Sequence, residues 1–404
     1  MKTNALNLFA VLTASFLLLC SCQERLLLSR PGDAVRFTAG SGFSQTKAAY
    51  SGVTNSAGTI ERIDWQAGDL MRIYCAQASE PAQKYADYAV TEVLPPAGEI
   101  SNARIEVSSP GTGGVGLRWG EGDHMFYAVF PSPEDNGITL SMGISPYADG
   151  GTKSSVSKSI SGATVTAKLP ATQKVVSVSG SGTLNCVAAP DLNNMLMTAK
   201  NGTFTPDTFP DENTVFLAFT PLTTAVQFTI KNQTKADLTL KSVSLTSVAS
   251  ALNGPFTVDI DDETHQPSSI NLGGTTVSYA HSYPYCQYTG SVTAATKTVT
   301  INFASPITLA YDANIANCGS LTFTFFLQPC QNFDDLTFKL VKSDDSWMST
   351  KLGYTDGTGI IFPRFKKSEV TGLLIPEGAQ WTLKYGKTVV TSWISGVGDE
   401  LEIK

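Results

Sequence analysis

The 404-residue chain has only three histidines, and charged residues make up 16% of it. His124, His265 and His281 form no H-x-x-x-H or H-x-H pattern, so no local zinc or histidine-catalyst motif is present. No G-x-S-x-G elbow occurs anywhere, which removes the local signature of one hydrolase class. The seven cysteines include no C-x-x-C spacing, which argues against a zinc ribbon. No block of basic residues stands out and the formal net charge is −7, so a nucleic-acid partner is not expected. Long segments with helical periodicity are also missing. Apolar runs are short, rich in Val and Thr, and bounded by Gly and Pro, which is the pattern of an all-β sandwich fold.

What is present begins with a targeting signal. Lys2 is its positive region, and Leu6 to Cys20 is an apolar stretch too short for a confident spanning helix. Ser21 places a small residue before Cys22, where the apolar run stops, so Cys22 is the expected lipidation site of a lipoprotein. Cys20 fits less well, because Leu19 precedes it. Acyl chains on Cys22 would each add about 0.8 kcal/mol of membrane affinity per buried CH₂. Cleavage before Cys22 removes Lys2 and leaves a charge of −8, from 27 basic and 35 acidic residues.

Five cysteines then remain: Cys75, Cys186, Cys286, Cys318 and Cys330. An odd number cannot all pair within the chain. Cys318 and Cys330 could bridge a hairpin, or all five could be small buried hydrophobes.

Residues 22–33 read as a tether. Ala34-Val35-Arg36-Phe37-Thr38-Ala39 alternates like a half-buried strand, with Val35, Phe37 and Ala39 on one face. A Gly/Ser stretch from Gly40 to Ser44 follows, then Thr46-Lys47-Ala48. The order is anchor, strand, loose loop, basic residue, so the first strand could be cut away after Lys47. Met71, Ile73 and Cys75 form the natural inner face of a strand over 70–75, and Met125 to Phe130 reads as a central strand. Residues 201–213, with Pro206, Pro210, Asp207, Asp211 and Glu212, read as a linker. This gives an N-terminal sandwich over 34–204 and a C-terminal one over 205–404. Residues 343–360 read as a long loop.

Other features are weak. Gly111-Thr112-Gly113-Gly114-Val115-Gly116 matches G-x-G-x-x-G, but Leu117 to Gly122 is no helix start, so a hairpin loop is the better reading. Asp259 to Glu263 lacks the glycine of an EF-hand loop and reads as a solvated acidic turn. Trp65, Trp381 and Trp393 fall in strand patterns and read as core, whereas Trp119 and Trp347 fall in loops and are the candidate sugar platforms. No cofactor is expected.

Several stretches in order resemble the fimbrillin family of Gram-negative pilus subunits. They are Thr46 to Gly52, Glu61-Arg62-Ile63-Asp64-Trp65-Gln66-Ala67-Gly68-Asp69 running into Arg72-Ile73-Tyr74, Tyr127 to Pro131, Asn194 to Met197, Val215 to Ile230 and Leu252-Asn253-Gly254. The resemblance implies two transthyretin-like Greek-key β-sandwich domains in tandem and a non-enzymatic structural or adhesive subunit. It also implies export as an outer-membrane lipoprotein shown at the cell surface or in a fimbrium. Removal of the N-terminal strand at Lys47–Ala48 would be followed by assembly through strand exchange. Lys47 stands where the family often has Arg. The implied partners are other copies or related pilus subunits, the outer membrane through the lipid, and a host glycan or protein ligand. The chain's own C-terminus is the candidate donor: Val389 and Val390, then Leu401 and Ile403 alternating with charged residues. The alternatives are that both terminal strands simply complete their own domains, that the protein is a monomeric surface glycan-binding lipoprotein, or that it is a surface glycosidase.

Overall fold

The structure is a computed structural model. It describes residues 32–40, 50–55, 58–63, 65–97, 100–108, 114–133, 139–142, 163–180, 184–201, 204, 214–259, 269–272, 275–278, 287–290, 292–328, 336–352, 366–377, 380–392 and 398–402. The chain is all-β. In order, the first strands are β1 (Arg36–Gly40), β2 (Tyr50–Asn55), β3 (Gly58–Ile63), β4 (Leu70–Tyr74), β5 (Tyr85–Ala97), β6 (Ile100–Val107), β7 (Tyr127–Phe130), β8 (Thr139–Met142) and β9 (Ala163–Leu169). Next come β10 (Thr172–Gln173), β11 (Val175–Ser179), β12 (Asn185–Pro190), β13 (Met197–Lys200), β14 (Thr214–Pro221), β15 (Thr224–Asn232), β16 (Leu238–Thr246), β17 (Gly254–Asp259) and β18 (Ser269–Leu272). The last are β19 (Thr275–Ser278), β20 (Gln287–Gly290), β21 (Thr298–Leu309), β22 (Ser320–Leu327), β23 (Leu336–Lys342), β24 (Trp347–Leu352), β25 (Lys366–Glu377), β26 (Gln380–Ser392) and β27 (Gly398–Glu402).

Seven strands close on themselves in the order β1-β14-β13-β7-β4-β5-β6. Their inner face follows the alternation in the sequence: Met71 and Ile73 on β4, Ala86, Tyr88 and Val90 on β5, Val215, Leu217 and Phe219 on β14, all buried. Trp65 anchors this core, edge-on to Phe130 at 5.3 Å and to Phe219 at 5.4 Å. The same core continues to Val165 and Leu169 on β9 and to Phe256 and Val258 on β17.

The second core is a sandwich of two sheets. One is β10-β21-β16-β23-β24, and the other is β11-β12-β22-β15-β25-β26-β27. Phe228 on β15 stacks on Phe338 of β23 at 4.7 Å, so an aromatic layer joins the sheets.

The path between the two bodies was not legible in advance. Between barrel strands β7 and β13 the chain leaves the barrel: β10 pairs with β21 and β12 with β22, both in parallel. It then returns for β13 and β14. Of the expected linker, only Asn201 and Phe204 lie within the described residues. β14 follows it as a barrel strand, and strand pairing passes to the second body at Leu222–Thr223, between β14 and β15.

β5 runs through Pro95 and Pro96; the ladder skips both prolines between Leu94 and Ala97, so neither must donate a hydrogen bond. One local expectation changes. Residues 343–360 are not all loop: Lys342 to Trp347 is a tight turn with Asp345 at φ +63°, and β24 follows. Residues 380–392 form one strand, with a register shift against β25 between Val370 and Gly372.

Candidate functional site

The candidate site is the slot occupied by the first strand. β1 lies between β14, to which it is parallel, and β6, to which it is antiparallel. Its register places Phe37 beside Val215 and Ile105, and Ala39 beside Leu217 and Ala103. A strand paired on both sides closes the barrel and leaves no edge.

The side chains fill the interior. Val35, Phe37 and Ala39 are buried, with Arg36 exposed and Thr38 between. Phe37 meets Tyr88 edge-on at 5.1 Å and Phe126 at 5.2 Å. The Tyr88 hydroxyl accepts the Leu117 N–H at 2.8 Å, which fixes the ring that Phe37 packs against. Burial pushes the ionisation of that hydroxyl above its usual range. Burying Val35 and Phe37 contributes about 1.5–3 kcal/mol each.

Upstream of β1 the backbone is also clasped. Gly32 N–H donates to Trp119 O at 2.7 Å, Trp119 N–H to Asp33 O at 2.9 Å, and Val35 N–H to Leu117 O at 2.9 Å. Arg118 holds Gly32 O through Nη1 at 2.8 Å and pairs with Glu80 at 3.0 Å. That ion pair is half exposed and contributes little. At the downstream end, Gly40 passes beneath the Phe216 ring and beside Asn102 Oδ1; a Cβ there would collide with both. A side chain at that position would need the part-exposed Phe216 ring and the Asn102 amide to swing aside.

Beyond Gly40 the chain adds no described strand to the barrel until β4. Among the described residues the hairpin β2–β3 pairs only with itself. Lys47 and Ala48, between β1 and this hairpin, lie outside the described residues, as does Cys22. Separating the chain at Lys47–Ala48 would therefore take one barrel strand away and leave two unpaired ladders, one on β14 and one on β6.

The candidate donor residues sit in the second body. Val389 and Val390 belong to β26, and Leu401 belongs to β27, which pairs antiparallel with β26: Thr388 faces Leu401 and Val389 faces Glu400. β27 ends the seven-stranded sheet, with no further described strand beyond it. Ile403 lies outside the described residues. The slot and β27 belong to different sheets, so the chain does not bring them together.

The remaining candidates resolve individually. His124 is fully buried; its Nε2 accepts the Gly120 N–H and its Nδ1–H donates to Gly122 O, both at 2.8 Å. Both ring nitrogens are used, which suits a core histidine and not a catalyst. Trp119 is buried against His124 and Phe126 and is no sugar platform. Trp119 does lie outside the strands, but hydrogen bonds between 117–119 and 32–35 tie that loop to the segment before β1. Trp347 is 60% exposed, but on a strand. Trp393, His265, His281, 111–113 and 260–263 lie outside the described residues. Cys318 is a free thiol donating to Asp312 O at 3.0 Å, so it forms no bridge to Cys330. Cys75 and Cys186 are also free and buried. Burial pushes the Cys75 thiol up to about 12, so it stays protonated and unreactive at neutral pH. Among the described residues no group of three or more metal-ligating side chains occurs. No described helix is long and apolar enough to cross a membrane.

No family model matches the chain, and no curated protein does. Solved structures do. A candidate cell adhesion protein from Bacteroides ovatus ATCC 8483 is 13% identical, with TM-score 0.45, over 91% of this chain and 99% of that one. One from Bacteroides uniformis ATCC 8492 is 14% identical, with TM-score 0.44, over 89% and 98%. A fimbrial assembly protein from Parabacteroides distasonis ATCC 8503 is 11% identical, with TM-score 0.33, over 89% and 96%.

Proposed function

We propose that the chain is a structural, adhesive subunit of a fimbria-like surface fibre, not an enzyme, and that it assembles by exchanging its first strand. The observation that carries this reading is the seating of β1. One short strand, paired on both sides, closes the barrel with Val35, Phe37 and Ala39 buried, and the segment that joins it to β4 adds no described strand to that barrel. A strand so placed is covalently separable without dismantling other strands. Its loss leaves main-chain donors and acceptors on β14 and β6 plus an apolar slot, and a replacement strand gains affinity from the ladder and register from alternate side chains.

In this reading the chain is exported as a lipoprotein through Cys22, held at the outer membrane and displayed at the surface. It is cut between Lys47 and Ala48. The two bodies are tandem transthyretin-like domains, and the vacated slot takes the C-terminal strands, around Val389 and Val390 or Leu401 and Ile403, of another copy or of a related subunit. A donor must present a large side chain at the Phe37 position and small ones at the Ala39 and Gly40 positions.

The test is Lys47→Ala expressed in the native host. High-molecular-weight ladders on unboiled gels should disappear while folded monomer remains. Ladders unchanged from the parent would overturn strand removal as the trigger.

A further inference from the structure

Each body holds strands that lie, in sequence, within the other. β10 to β12 fall between barrel strands β7 and β13, yet Cys186 and Ala188 on β12 are buried in the second core, with Cys186 opposite Leu321 of β22. β17 follows β16 of the second body, yet it pairs antiparallel with β9 along its whole length, and Phe256 and Val258 lie in the barrel core. The exchange is reciprocal, so each core is completed by side chains from the other half of the chain.

The joint between the bodies is closed. Leu222, Thr223 and Thr224, where β14 passes into β15, are 2%, 1% and 0% exposed, so no solvated hinge lies there. Leu222 N–H donates to Leu196 O at 2.6 Å. Ala225 on β15 and Phe326 on β22 belong to second-body strands but pack in the barrel core. Gln173 on β10 is buried and clips the Phe326 backbone twice: its Nε2 donates to Phe326 O at 2.5 Å, and its Oε1 accepts the Phe326 N–H at 2.9 Å. Gln328 Nε2 donates to Asn253 O at 2.6 Å and to Gly254 O at 3.0 Å, where β17 starts. Loosening one body strips partners from buried polar groups of the other, which is costly.

The first-strand slot lies on this joint. β14 is a ladder neighbour of β1 and runs into β15; β15 pairs with β25 over eight positions, and β25 pairs with β26, which carries Val389 and Val390. We propose that the two bodies fold and unfold as one cooperative unit, so that occupancy of the slot sets the stability of the sheet carrying β26 and β27. When either body unfolds, the other loses strands and side chains that complete its core, so no half-folded chain keeps a whole one. Domains joined by a solvated linker behave otherwise and melt separately. A strand seated in the slot therefore stabilises both bodies, and an empty slot weakens both. The coupling is a property of the uncut chain and does not depend on strand exchange.

The test is pulsed thiol labelling of the full mature chain along a urea series, with each cysteine read by peptide mass spectrometry. Cys75 reports on the barrel and Cys318 on the second body; both thiols are free and fully buried, so labelling marks unfolding. They should lose protection at one urea midpoint. Phe37→Leu, in the barrel core, should lower both midpoints by the same amount, and Phe228→Leu, in the second core, should do the same from the other side. Separate midpoints in the parent, or a variant that moves only the cysteine of its own body, would overturn the proposal. The two variants act from opposite bodies, so if one does not fold the other still decides. All of these chains retain residues 22–47, so neither result bears on strand exchange.

Discussion

Phe37 and Tyr88 meet edge to face, their ring centroids 5.1 Å apart at an interplanar angle of 76°. The contact joins the first strand to β5, which is not its ladder neighbour, so the strand is held by interior packing as well as by backbone pairing. Phe37→Ala should therefore destabilise the barrel by about 3–5 kcal/mol in chemical denaturation, as other buried aromatic truncations do. Arg36→Ala, on the outer side of the same strand, should stay within about 0.5 kcal/mol. Equal effects from the two would mean that β1 is held by its backbone alone.

A second prediction concerns the ion pair beside this core. Arg72 Nε and Nη2 donate to the two Asp87 oxygens at 2.7 and 2.8 Å, and Ser132 Oγ donates to Oδ1 at 3.0 Å. Arg72 and Asp87 are 11% and 8% exposed. Burial alone would lower the Arg72 pKa, but the Asp87 hydrogen bonds and charge raise it overall. Asp87→Asn should cost about 3–5 kcal/mol, since it leaves a buried cation without its counter-charge. The double change Arg72→Met with Asp87→Leu should recover part of that loss, and failure to recover any would point to a role beyond charge pairing.

Alkaline pH should unfold the barrel early. Burial raises the Tyr74 hydroxyl from 10.0 to about 12. The unfolded chain then loses that proton more readily than the folded one. Stability from Tyr74 is fully present below pH 10 and is lost between pH 10 and 12, at roughly 1.4 kcal/mol per pH unit. Tyr74→Phe should flatten that slope in denaturation curves taken across the window; an unchanged slope would remove Tyr74 from the account.

Lipidation is tested by Cys22→Ala, which should move the protein out of the detergent-soluble membrane fraction and abolish labelling by a palmitate analogue. Persistence of both would contradict the processing reading.

The alternation of Val35, Phe37 and Ala39 was legible because a period of two needs only six residues. Its partner was not: β14 lies almost two hundred residues downstream, and nothing local in Thr214–Pro221 marks a parallel neighbour. The excursion of β10 to β12 into the second body was hidden for the same reason, since pairing partners at long range leave no local signature. The burial of Trp119 was not legible: Gly116 to Gly122 has loop composition and is a loop, but its backbone pairs with 32–35 and the indole lies inward. Trp347 was picked out correctly as an exposed ring, while the strand beneath it was missed: Met348 and Leu352 supply its inward face, but the preceding acidic turn masked the pattern.

The measurement that bears most directly on strand removal is the intact mass, with N-terminal sequencing, of the protein taken from the surface of its native cells. Assembled material should begin at Ala48, lacking Val35, Phe37 and Ala39 together with the acylated Cys22. Surface fibres whose subunits all retain residues 22–47 would contradict the account and leave β1 as a permanent strand of a barrel that never opens.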